Sequence, residues 1–315
     1  MRAARDAFGR VYGTQHPRYA QGLSNVGVVL IERGEFTDAL VELEKARQVF
    51  GATLREDHPR RMLNESNVAV ALALLERNTE ALEIRERVLE LQRTKLGDEH
   101  PDVLSSMGNL AMLYRAMGRT DDAEALLRDT LELRRTVSGP DHPDTLVVLE
   151  NLGGTLYREG DYAGSLEYTG EVLEARMRVL GEAHRDVAKT TYNMGMIAKS
   201  MRDPDLARNY FETALERFRG SIGEESPEGA DCLLQLGYVA EAVDDHVAAK
   251  KHYGRALEIR RALGPDDLTT ADILYRSMVT AFELEEWDQA IVFGEQRAPM
   301  YEDLVGPDHL VTLAS

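Results

Sequence analysis

Gly97-Asp98-Glu99-His100-Pro101-Asp102 is followed 42 residues later by Gly139-Pro140-Asp141-His142-Pro143-Asp144, and the histidine returns at the same interval as His16, His58 and His184. A constant period over most of a chain means one supersecondary unit stacked on copies of itself, each burying its apolar face against the next. Function in such an array belongs to a shared surface rather than to one pocket.

The segments between the blocks read as two amphipathic helices. In the third copy Leu104, Met107, Ala111 and Tyr114 make one apolar stripe, and after Gly118 a second stripe runs through Ala123, Leu126, Leu127, Thr130 and Leu131. Two columns hold small residues at the 42-residue period: Gly27, Ala69, Ala111, Gly153, Gly195 and Gly237 in the first helix, and Ala39, Ala81, Ala123, Ser165, Ala207 and Ala249 in the second. Close helix approach needs small side chains, so these columns mark the contact within each hairpin. The class is all-α.

The His-Pro block reads as helix punctuation. Pro17, Pro59, Pro101 and Pro143 suit the first helical position, where the missing N–H is no loss. The residue before each is then the N-cap, and Ser226 takes the histidine's place before Pro227. Asp102, Asp144, Asp186 and Glu228 follow in the first turn, where the helix dipole favours negative charge.

The period divides 1–315, taken as one array, into seven repeats at 14–55, 56–97, 98–139, 140–181, 182–223, 224–264 and 265–306. Residues 1–13 read as the end of a preceding second helix, with Ala4 in register with Ala46, and 307–315 as the opening of an eighth repeat. Neither end has the polar cap that a solenoid needs, so the expectation is a piece of a larger chain, or ends covered by a partner or by self-association.

With a formal charge of −18, nucleic acid is not expected as a partner, because phosphate binding needs a concentrated basic footprint. The longest aliphatic run, Val68 to Leu75, is far short of the ~18 apolar residues of a membrane span. One cysteine, Cys232, excludes an intrachain disulfide, and a cytoplasmic location is the expectation.

Chemistry finds little support. One histidine per repeat cannot converge on a metal that needs three or four ligands, and Cys232 has no adjacent base. The chain has no Gly-rich phosphate loop, no Gly-x-Ser-x-Gly elbow and no His-Glu-x-x-His. No cofactor, metal or catalytic residue is expected.

The small residue followed twelve positions later by alanine, with a capped loop led by proline, resembles the tetratricopeptide repeat. The 42-residue version is similar to that of kinesin light chains, whose Leu-x-Asn-Leu-Ala-x-Leu-Tyr is matched from Met107 to Tyr114 and whose Leu-Glu-Ile-Arg is matched from Leu257 to Arg260. No heptad segment of the kind that binds the motor lies within these residues, so the resemblance does not extend to a motor adaptor. It implies a right-handed superhelical α-solenoid whose first helices line a concave groove that receives peptides. The seventh copy departs from the pattern, with Met278 in the small column and Pro299 within its second helix, and distortion is expected there. Trp287 is expected to pack.

In that groove an amide ladder is expected from Asn25, Asn67, Asn109, Asn151 and Asn193, continued by Gln235. An amide offers both donors and acceptors to a peptide backbone. Met112, Met196 and Tyr238 lie beside the small column, Arg115, Tyr157 and Lys199 three further on, with Arg158 and Lys189 flanking. These cations and aromatics suit acidic or aromatic ligand residues over repeats three to five, and Glu241, Asp272 and Glu283 suit a basic segment over the last two. The expected function is non-catalytic binding of a protein or peptide; the alternative is a structural or sensor segment of a larger signalling protein, docking other domains or itself.

Overall fold

The computed structural model describes residues 9–264 and 267–305, and these contain helices and turns with no strand. First and second helices alternate: α1 (Pro17–Glu32), α2 (Phe36–Thr53), α3 (Pro59–Leu74), α4 (Asn78–Leu96), α5 (Pro101–Ala116), α6 (Thr120–Val137) and α7 (Pro143–Glu159). The order continues with α8 (Tyr162–Leu180), α9 (Arg185–Ser200), α10 (Pro204–Ser221), α11 (Pro227–Glu241), α12 (His246–Leu263), α13 (Leu268–Glu283) and α14 (Trp287–Val305). By its contacts the chain divides into two compact units, Met1–Thr155 and Leu156–Ser315. In the first unit each of α1 to α5 packs on the next helix, and in the second so does each of α8 to α13. The class is an α-solenoid of helical hairpins.

Each hairpin begins as its sequence directs. The Nδ1 atoms of His16, His58, His100, His142 and His184 accept the backbone N–H two residues on at 3.1 to 3.2 Å. Ser226 Oγ caps α11 by accepting from Gly229 N at 3.1 Å. Accepting at Nδ1 requires that nitrogen to be unprotonated, so these imidazoles are structural caps.

The turn inside each hairpin closes the first helix in one way. Glu35 N–H donates to Leu30 O and Gly34 N–H to Ile31 O, the paired bonds of a Schellman ending. The same pair recurs in all seven repeats, down to Glu286 on Ala281 and Glu285 on Phe282. The residue at the bend takes a positive φ, supplied by Gly34, Gly118 and Gly160 but also by Glu76, Arg202, Asp244 and Glu285 at 58 to 60°.

The small columns are buried, and where the first-helix member is Gly27, Gly195 or Gly237 it faces the residue sixteen positions later. Gly27 faces Leu43, and Gly195 faces Phe211 so closely that a Cβ on the glycine would lie 2.6 Å from the ring. Gly237 faces Tyr253 in the same way. In the seventh repeat the sizes are exchanged: Met278 holds the first-helix position and Gly294 the second, with Sδ 3.3 Å from where a glycine Cβ would stand. The hairpin expected to be distorted keeps its packing by this exchange, and α14 runs on through Pro299. Trp287, expected to pack, stays half exposed and meets Phe282 edge to face at 4.9 Å.

Candidate functional site

In the first unit, α5 and α7 leave a groove of about 180 Å³ between their open faces. Asn109, Met112 and Asn151 line it together, with Val147 and Val148 as an apolar wall. The two amides come side by side because they occupy one register position on neighbouring first helices. Arg115 lies against α7 at Gly154, where a Cβ would stand 3.3 Å from Nη1. Asn67, Asn109, Asn151 and Asn193 make no side-chain hydrogen bond within the described residues. Asn25 differs, for Gln21 donates to its Oδ1 at 3.0 Å.

In the second unit a cavity of about 260 Å³ opens between α9 and α11, lined by Lys189, Tyr192, Asn193, Phe218, Glu228 and Asp231. Its two carboxylates are engaged: Arg185 pairs with Glu228 and Arg260 with Asp231. Burial, reinforced by Asp231, pushes the Tyr192 hydroxyl up to about 12. Lys189 and Asn193 remain exposed at the rim, one helical turn apart.

Farther along α9 and α11 lie further polar and aromatic contacts that reach α7 and α13. Tyr157 and Ser200 share a hydrogen bond of 2.7 Å. Lys199 Nζ stands 4.4 Å from the centre of the Tyr238 ring and donates to Gln235 Oε1 at 2.7 Å. Tyr238 donates to Asp272, and the Arg276 guanidinium lies 4.9 Å from the same ring. Burial, then Arg276, holds the Lys199 ammonium below the usual lysine range.

These contacts redistribute the roles expected from sequence. Gln235 is occupied by Lys199 rather than continuing an open ladder. Met196 packs against the core formed by Phe211, Leu236 and Val239, because its position one past the small column turns toward the next helix. Arg158 is exposed on the last turn of α7. Glu241 and Asp272 do not form an open acidic surface: Arg276 reaches Glu241 at 3.5 Å and Asp272 at 3.9 Å. Only Glu283 of that expected trio is exposed without such a partner among the described residues.

Sequence reasoning passed over the arginine ending the Leu-Glu-x-Arg column. Arg134 is 3% exposed, bonds Ser105 Oγ at 2.9 Å in its own repeat and pairs with Asp144 at 3.1 Å in the next. Arg260 repeats the bridge with Asp231 and, at 3.4 Å, Asp267. An arginine recurring at one place in a helix that is otherwise apolar there was the available signal.

The structure therefore defines a class: an α-solenoid of helical hairpins with open amide-bearing grooves between first helices. The tetratricopeptide repeat family model matches residues 60–136, 118–178, 144–220 and 186–262, and a second model with the same description matches 20–60. The chain belongs to the tetratricopeptide repeat family. No curated protein matches it. Among solved structures it is similar to the nearly identical repeats of a putative kinesin light chain from Podosopora anserina, at 22% identity and TM-score 0.59 over 65% of this chain and 97% of that one. BtubC from P. vanneervenii matches at 23% identity and TM-score 0.57, over 71% of this chain and 90% of that one. A signal transduction ATPase from Pyrococcus horikoshii, with a tetratricopeptide repeat sensor, matches at 15% identity and TM-score 0.69, over 90% of this chain and 42% of that one. At these identities the likeness is one of fold. No described helix is long and apolar enough to cross a membrane.

Proposed function

We propose that the chain is a non-catalytic module that binds a protein segment along the faces of its first helices. The observation that carries this reading is the set of side-chain amides at Asn67, Asn109, Asn151 and Asn193, which make no hydrogen bond among the described residues although two of them share one groove. A polar group kept open on a packed scaffold is suited to a partner's backbone, which offers donors and acceptors regardless of sequence.

Side-chain preference follows from the neighbours of the amides. In the first unit Met112 and the valine wall suit an apolar or aromatic residue beside Asn109 and Asn151. In the second unit Lys189 and Asn193 stand at the rim of a cavity floored by Phe218 and Tyr192, which suits an acidic group next to an aromatic one. A peptide array probed with the wild type and with the N109A/N151A/N193A variant tests this. Peptides carrying aromatic and acidic residues should be retained by the first and lost by the second; binding indifferent to both composition and the three amides would overturn the reading.

A second reading, docking or self-association through the last hairpin, is favoured by one feature. Phe282, Trp287, Ile291 and Val292 are each about half exposed on α13 and α14. Clustered exposed aromatics and aliphatics mark association surfaces. Sedimentation over a range of concentrations should show self-association that W287S/I291S reduces, and a monomer at all concentrations would remove it.

A further inference from the structure

Lys199, at the end of α9, holds its Nζ 4.4 Å from the centre of the Tyr238 ring and donates to Gln235 Oε1 at 2.7 Å. Among the described residues no carboxylate reaches ion-pair distance of it. The two acids at hand are taken: Arg276 on α13 pairs with Glu241 at 3.5 Å and Asp272 at 3.9 Å, and Tyr238 donates to Asp272 as well. The same guanidinium lies 4.9 Å from the centre of the Tyr238 ring, so two cations share one aromatic ring. Of the other five lysines, Lys45, Lys95 and Lys250 pair with Glu42, Asp57 and Glu286. Lys189 and Lys251 have no ion pair among the described residues, but they are exposed and make no ring contact.

This setting favours the neutral amine. Burial of the ammonium and the nearness of Arg276 both act that way, and Asp272 opposes them only in part. A lysine is a nucleophile only as the free amine, and desolvation or a neighbouring cation is what makes that form available near neutral pH. The bond to Gln235 is no obstacle, because a neutral amine can keep one N–H on Oε1 and still present its lone pair. The residue as a whole is open to solvent, so a small reagent can reach it.

We propose that Lys199 is a site of covalent acylation by a small acyl phosphate. The Nζ lone pair attacks the acyl carbonyl carbon; the N–C bond forms, the C–O bond to the phosphate breaks with its electron pair, and the proton lost by the amine leaves with the phosphate. Arg276, on the same ring, supplies a cation near the departing anion, which is why a phosphate leaving group suits the place. The product amide is uncharged, so acylation removes one of the two cations from the Tyr238 ring. The site does not depend on the groove reading above. The competing account is that Lys199 serves only to pack its stem and hold Gln235; the two accounts separate by experiment.

The probe is acetyl phosphate, with acetylation at each lysine of the full chain followed over time by peptide mass spectrometry. At pH 8 Lys199 should be acetylated faster than any of the other five lysines, and its rate should level off below the usual lysine range. The preference should disappear in urea, where Tyr238 and Arg276 no longer surround the amine. Gln235→Glu places a carboxylate where Nζ now donates, with little change of shape. It should slow acetylation at Lys199 about tenfold and leave the other five as they are, because an opposite charge in hydrogen-bond range favours the ammonium. Arg276→Gln, which removes the second cation and releases Asp272, should slow it as well. Acetylation at Lys199 no faster than at Lys251, a preference that persists in urea, or a rate unmoved by Gln235→Glu in a chain that melts as wild type does, overturns the proposal.

Discussion

Gly195 on α9 lies directly under Phe211 of α10, so that a Cβ on the glycine would stand 2.6 Å from Cε1 of a fully buried ring. The pair shows how one repeat varies its filling without changing its backbone: the first helix gives up a methyl group where the second offers an aromatic. In the third repeat the same two places hold Ala111 and Leu127, both fully buried. Gly195→Ala should therefore cost about 1–3 kcal/mol by overpacking. Adding Phe211→Leu recreates the Ala111 and Leu127 pair and should recover most of that loss. Urea midpoints of the single and double variants decide it; a G195A chain as stable as wild type would show that the ring moves aside freely.

The histidine caps invite a chemical replacement. His100 Nδ1 accepts from Asp102 N at 3.1 Å, and in the sixth repeat Ser226 Oγ fills the same register position. His100→Ala should lower stability by about 1 kcal/mol, the usual effect of removing a cap, whereas His100→Ser should restore most of it. If alanine and serine variants melt alike, the imidazole is not serving as a cap.

Four hairpin turns hold a non-glycine residue in the left-handed region, among them Glu76 at φ 60° and Glu285 at φ 58°. An L-residue there is strained by about 1–2 kcal/mol, offset in part by the greater freedom that glycine would gain in the unfolded chain. Glu76→Gly should then stabilise by up to about 1 kcal/mol, while Glu76→Ala should not, because alanine meets the same steric strain. Thermal melts of both variants test the difference in sign.

The fold was legible because a period constrains every copy at once: the histidine, proline and small-residue columns each repeat a local physical requirement, and local requirements can be read without coordinates. The placing of Asn109 and Asn151 side by side was legible for the same reason. Beyond it the reading broke down where a side chain's role depends on a partner about one repeat away. Gln235 looks like an amide of the ladder until Lys199, thirty-six residues earlier, is seen to bond it. Glu241 and Asp272 look like an acidic end until Arg276 is placed between them. Met196 looks open because the column next to the small residue faces outward in a single hairpin, and it is covered only once α11 packs beside it. Such contacts depend on rotamers of long side chains reaching between repeats, which a one-dimensional period does not encode.

Cys232 supplies a pH-dependent test of core integrity. The thiol is fully buried on α11, and burial, followed by Asp231 and Glu228, pushes it up to about 12 from an ordinary value of 9.0. The folded chain therefore holds this proton more tightly than the unfolded one. The thiol's contribution to stability is complete below the ordinary thiol range and is lost as pH rises from there toward the folded value. Tyr192 and Tyr238, both also raised to about 12, add a loss of the same sign that begins at the ordinary tyrosine range. Cys232→Ala leaves those two in place, so the difference between variants isolates the thiol. Between pH 8.5 and 11 the urea midpoint of wild type should fall more steeply than that of Cys232→Ala, even though the alanine variant starts lower from its cavity. In the same protein at pH 8, iodoacetamide should react no faster than the chain unfolds, since only the exposed thiolate is nucleophilic. Parallel slopes in the first measurement, or rapid alkylation of the native chain in the second, would mean that α11 opens locally around Cys232.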